Sequence, residues 1–85
     1  MRIRKRIFEL DGYQVKKEWF EDESTIPDII KNNSDIIKIH KDEITISTLE
    51  GVMKANEGSW IVKGIKGEFY PVDEEIFEQL YEKID

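Results

Sequence analysis

The chain contains no cysteine among its 85 residues. That removes disulfides, thiolate metal ligands and thiol nucleophiles together. A single histidine, His40, leaves little for histidine-based acid–base or metal chemistry. Its neighbours Lys41, Asp42 and Glu43 mark an exposed turn rather than a catalytic pair. No apolar run approaches the roughly 20 residues of a membrane span. The basic start is followed by no apolar stretch of the kind a secretory signal carries, so a cytoplasmic protein is expected. The net charge of −6, from 19 acidic and 13 basic residues, speaks against sequence-independent binding to nucleic acid, where phosphate neutralisation drives affinity.

What is present points to one small domain spanning residues 1–85. A chain this short buries a modest core, and with disulfides excluded, homo-oligomerisation is the expected reinforcement. The charge is segregated. Arg2, Arg4, Lys5 and Arg6 crowd the start, and Glu74, Glu75, Glu78, Glu82 and Asp85 crowd the end. Two solvated ends are one reading; a basic end of one copy meeting the acidic end of another is the sharper one.

Residues 2–10 alternate charged and apolar side chains, Asp11-Gly12 follows, and Tyr13 begins a second strand-like run. Asp-Gly between two such runs signals a type I′ turn, so a hairpin over 3–20 is expected. Ser24 or Thr25 can cap a short helix at 26–32, with Pro27 in its first turn and Ile26, Ile29 and Ile30 on one face. From 36 to 71 short β-branched runs alternate with tight turns, which predicts consecutive antiparallel strands. Pro71 cannot donate to a ladder and belongs at an edge or a strand end. Asp73 caps a last helix at 74–84, in which Ile76, Phe77, Leu80, Tyr81 and Ile84 form an apolar stripe opposite an acidic face. The expected fold is α+β: a curved antiparallel sheet of about six short strands, open or rolled into a partial barrel, with a short early helix and a C-terminal amphipathic helix.

The richest segment is residues 58–71, GSWIVKGIKGEFYP. Glycines let backbone N–H groups approach an anion, and Lys63 and Lys66 would add charge. Spacing and context rule out a Walker loop. The plainer reading is a hairpin whose bend takes its positive φ from Gly64 and Gly67. Adjacent strand residues point to opposite faces, so Phe69 and Tyr70 cannot both enter one core. Ligand-binding candidates are therefore Trp60, Lys63, Gly64, Lys66, Gly67 and Tyr70, a glycine–lysine–aromatic platform on which a purine could stack. Partner-binding candidates are Glu75, Glu78 and Glu82. Glu21-Asp22-Glu23 lacks the spaced ligands and glycine of a calcium loop, and no nucleophile, base and orienting group stand in a recognisable pattern. No cofactor, metal or catalytic residue is assigned.

Three stretches carry a resemblance: Thr48-Leu49-Glu50-Gly51-Val52-Met53, residues 58–72, and Ile76-Phe77-Glu78-Gln79-Leu80-Tyr81-Glu82. Together they resemble a family of small tailed-phage and prophage proteins whose members carry "TLEGDM" and then "GDWIIKGVKGEFYPC.PDIFEKTYE". Trp19 would match the tryptophan of that family's opening strand. Ser59 stands where an aspartate is usual and Val72 where a cysteine often occurs. The family's "KKP" opening run is absent. The resemblance implies a non-enzymatic phage accessory protein acting in the bacterial host cytoplasm, of a kind that opposes host defences. Two functions are then expected in competition. One is an interaction or inhibitor protein whose acidic surface docks on a host protein. The other is an oligomeric binder that sequesters a nucleotide-like signal.

Overall fold

The computed structural model describes residues 1–4 and 7–84. Six strands form two three-stranded antiparallel sheets that do not close into a barrel, and short helices complete an α+β fold. The first sheet has the order β1-β5-β6, from β1 (Asp11–Gln14), β5 (Trp60–Lys63) and β6 (Phe69–Val72). The second has the order β2-β3-β4, from β2 (Ile37–Ile39), β3 (Ile44–Thr48) and β4 (Gly51–Ala55). Helices α1 (Glu18–Glu21) and α2 (Asp28–Lys31) lie between β1 and β2, and α3 (Glu74–Leu80) follows β6.

Period-two alternation explains the second sheet. Ile37, Ile46 and Met53 are cross-strand partners, as are Ile39, Ile44 and Ala55, so one face is apolar. Lys38, Thr45 and Lys54 take the other face. Gly51 adopts φ +113° where the chain turns from β3 into β4, a conformation costly for any side chain.

The first sheet is apolar on both faces. Ile61 and Val62 are adjacent in β5 and both are buried, so they enter different cores. Ile61 and Phe69 join Val15, Trp19, Ile26, Ile30 and the isoleucines of the second sheet in the main core. Val62 and Val72 face α3 and pack with Phe77. Phe69 and Tyr70 diverge as neighbours in a strand must, Phe69 to the main core and Tyr70 to the α3 side. Pro71 lies in β6, which is an edge strand of its sheet.

The amino-terminal hairpin expected over 3–20 is not formed. Its first arm includes residues 5 and 6, outside the described residues. Its second arm holds only the short β1 and then coils into α1, where Trp19 N–H donates to Lys16 O at 3.0 Å and Phe20 N–H to Lys17 O at 3.1 Å. Asp11 and Gly12 do not turn; they pair with Lys63 and Val62 inside β1. Gly12 has no positive φ, which a type I′ turn demands. Its lack of a side chain serves packing instead, because a Cβ there would lie 3.3 Å from the Trp60 ring. Local turn chemistry loses to the non-local pairing of β1 with β5.

Two helix boundaries also differ. Pro27, rather than Ser24 or Thr25, precedes α2, while Ser24 and Thr25 belong to a 3₁₀ turn capped by Asp22. Ser24 N–H and Oγ–H both donate to Asp22 Oδ1, which holds that carboxyl below its usual range. Helix α3 ends at Leu80, with Tyr81 in extended conformation, so the helix expected over 74–84 stops four residues early.

Candidate functional site

Helix α3 begins where Asp73 Oδ1 accepts the Glu75 N–H at 3.0 Å, an N-cap of ordinary kind. Gln14 Nε2 ties its first turn to the sheet by donating to Glu74 Oε2 at 3.0 Å and to Gly58 O at 3.1 Å. So anchored, the helix lowers Phe77 onto Trp60. The two rings are parallel within 1° and 3.9 Å apart between centroids. Tyr81 continues the series, 4.9 Å from Phe77 and 10° from parallel. Lys83 Nζ lies 5.3 Å from the Trp60 centroid, within range of a cation–π contact. Tyr70 Oη and Tyr81 Oη are 3.4 Å apart. Burial, then the neighbouring Tyr81 hydroxyl, push the Tyr70 phenol up to about 12.

This arrangement separates the six ligand-binding candidates. Trp60 and Tyr70 face α3, whereas Lys63, three residues from Trp60, points to the opposite side of the sheet. Gly64, Lys66 and Gly67 form the β5–β6 loop, and that loop already holds an anion of its own. Lys66 N–H donates to Glu68 Oε2 at 3.1 Å, and the Glu68 carboxylate occupies the space a Cβ on Gly64 would need. Gly64 does not take the positive φ expected of it; Gly67 does, at +83°. Gly64 is small to admit Glu68, not to bend the chain. Trp60 offers no free platform on the side that Phe77 covers.

The partner-binding candidates Glu75, Glu78 and Glu82 are all exposed. Glu75 and Glu78 lie on the helix, one turn apart, and Glu82 lies just beyond it. The apolar stripe expected to dock is only partly docked. Phe77 is buried and Tyr81 half-buried, but Ile76, Leu80 and Ile84 are 49%, 72% and 64% exposed. At 100° per residue the docked and exposed positions differ: Leu80 and Ile76 fall on the flank of α3 away from Glu74 and Glu78.

Beside that flank lies a cleft of about 610 Å³. Phe8, Leu10, Trp60, Phe77, Leu80 and Ile84 line it, and Glu9, Asp11, Glu82 and Lys83 give it a net negative border. The sequence reading missed this feature. Its apolar residues come from both chain ends, and only the β1–β5 pairing brings them together. The one signal for it was an apolar surplus at each end, in Ile7, Phe8 and Leu10 and in Leu80 and Ile84.

A second hollow, beside Trp19, Phe20 and Ile30, includes His40 at its edge. His40 Nε2 is 2.9 Å from Thr45 Oγ1 across the β2–β3 turn, with no acid or nucleophile in a catalytic relation to it among the described contacts. Among the described residues no group of three acidic or histidine side chains is placed to hold a metal ion, and no helix is long and apolar enough to cross a membrane. Comparison of the chain with protein-family models, with curated proteins and with solved structures gives no match.

Proposed function

We propose that the protein is a non-enzymatic interaction protein that presents the acidic, solvent-facing side of α3 to a basic surface on a partner. The observation that carries this reading is the exposure of Glu75 and Glu78 on a helix whose other side is pinned to the sheet by Phe77 and Gln14, with Glu82 exposed just beyond its end. A fixed helix presents its charges in one geometry, so partner contacts need little further ordering. Carboxylates grouped in this way steer a basic partner and discriminate against acidic ones. The dispersal of Trp60, Lys63, Lys66 and Tyr70 over two faces gives the nucleotide-binding alternative no comparable support. The phage resemblance supplies the setting: an accessory protein acting in the host cytoplasm, with a component of host defence as its target.

The test compares capture from bacterial lysate by the wild-type chain and by the triple variant Glu75→Lys/Glu78→Lys/Glu82→Lys. A specific partner should be lost from the variant and should also be released from the wild type as salt screens the contact. Equal capture by both chains would sink the reading. So would a large rise in melting temperature with a cyclic dinucleotide or an adenine nucleotide, since only a ligand of the folded state stabilises it in this way.

A further inference from the structure

We infer that the cleft beside α3 receives the amino-terminal arm of a second copy of this chain, in a reciprocal two-fold exchange. This inference differs from the partner reading, which rests on Glu75 and Glu78 on the other flank of the helix; Glu82 alone borders both surfaces. It rests on a match between two features that a single chain leaves unsatisfied. The cleft is apolar at its base and bordered by Glu9, Asp11 and Glu82 against Lys83 alone. The arm has the complementary composition. Arg2 and Arg4 are exposed and basic, and Ile3 and Ile7 are 89% and 97% exposed. Ile7 stands at the border of the open apolar cleft and is itself almost fully in water, so apolar surface is left uncovered on both sides of that border.

The root of the arm decides the symmetry. Residues 7–10 themselves border the cleft, so each arm leaves its chain at the edge of the site that the other arm would enter. A two-fold axis beside the cleft therefore places two arms and two clefts together, and every contact is made twice. Ile3 and Ile7 of one copy would cover Leu80 and Ile84 of the other, while Arg2 and Arg4 would face Glu82 and Asp11. Arg2 and Arg4 are unpaired in their own chain: among the described residues the one ion pair joins Lys54 to Glu43 at 3.7 Å. No main-core residue comes from residues 1–4 or 7–10, so exchange leaves the main core intact.

The experiment is sedimentation equilibrium of the full chain over a concentration series. The expected species is a dimer of twice the 10.1 kDa chain mass. Ile3→Asp alters only an exposed arm residue and should weaken self-association by at least about tenfold. Leu80→Asp should do the same from the cleft side, with unchanged circular dichroism confirming the fold. Glu75→Lys/Glu78→Lys should leave the dimer intact, which separates this inference from the partner reading. A mixture of Ile3→Cys and Leu80→Cys chains should form a disulfide-linked heterodimer on mild oxidation, in a protein that has no cysteine of its own. A wild-type chain that is monomeric at every concentration, or a dimer indifferent to Ile3→Asp, would overturn the inference.

Discussion

The two faces of the β1-β5-β6 sheet meet very different surroundings. One lies in the main core, where Ile44, Ile46 and Ile61 have no exposed surface and no buried polar or charged residue occurs among those described. The other is roofed by the seven-residue α3, and its cluster of Val62, Val72 and Phe77 borders an open cleft. The buried main core is mostly aliphatic and β-branched, with Trp19 and Phe69 among its isoleucines; the outer cluster is richer in aromatics, with Trp60, Phe77, Tyr70 and Tyr81 beside Val62 and Val72. Aliphatic side chains interlock from several elements and seal a volume. Stacked rings hold one short helix on a sheet with few contacts, and leave a border where another surface can fit. Stability is thus concentrated on one side of the sheet and the surface available for binding on the other.

The contrast can be broken by paired truncations. Ile44→Ala empties a sealed site and should cost about 4 kcal/mol, within the range for such losses. A chain of 85 residues has roughly 4–13 kcal/mol in total, so this variant should lose from about a third to all of its stability. Phe77→Ala should cost less, about 2 kcal/mol, because water can enter from the cleft and no sealed cavity is left. The two tryptophans report the regions separately, Trp19 in the main core and Trp60 in the outer cluster. In a Trp19→Phe background, Phe77→Ala should shift Trp60 emission to the red while the far-ultraviolet dichroism of the sheets persists. Equal losses in urea titrations of the two truncations would show that the sheet has no stronger side.

The main core was largely legible in the sequence, and the outer cluster was not. Strands from Ile37 to Val72 follow one another through tight turns, so alternation and turn residues suffice to read them. The separation of Phe69 from Tyr70 followed from the same alternation, and the edge position of Pro71 from its missing N–H. Asp11-Gly12 was misread because its partner lies about fifty residues away in β5, and no local pattern announces that pairing. Without it, neither the fit of Trp60 over Gly12 nor the cleft could be seen. The acidic side of α3 was legible from helical spacing, whereas the exposure of Ile76, Leu80 and Ile84 was not. Periodicity shows which residues share a face, not how much of that face finds a cover.

The β5–β6 loop sharpens the comparison at a smaller scale. Gly64→Ala puts a methyl group where the Glu68 carboxylate sits, and Glu68 is exposed and can swing away. The loss is then the Lys66 N–H bond and some loop order, about 1 kcal/mol. In the background Glu68→Ala the same substitution should cost almost nothing, and the difference between the two backgrounds measures the clash. Equal costs in both backgrounds would mean that Gly64 is required by its backbone conformation rather than by the carboxylate.

The smallest expected effect at neutral pH is that of Tyr70→Phe, whose consequence is an alkaline one in the outer cluster. Tyr70 is held at about 12 by burial and by its neighbour Tyr81, against an ordinary value of 10.0 for the exposed phenol. A group whose folded value is raised binds its proton more tightly in the folded state. Its contribution is fully present below pH 10 and is lost as pH rises towards 12, because the unfolded chain then releases a proton that the folded chain still retains. Stability measured by urea titration should therefore decline across that window. Tyr70→Phe removes the ionisable group and should flatten the decline, while leaving the neutral-pH stability within about 1 kcal/mol of the wild type, since only a long hydroxyl contact is lost. A decline of unchanged slope in Tyr70→Phe would place the alkaline sensitivity elsewhere and would mean that the space beneath α3 is wetter than the stacking of Trp60 and Phe77 implies.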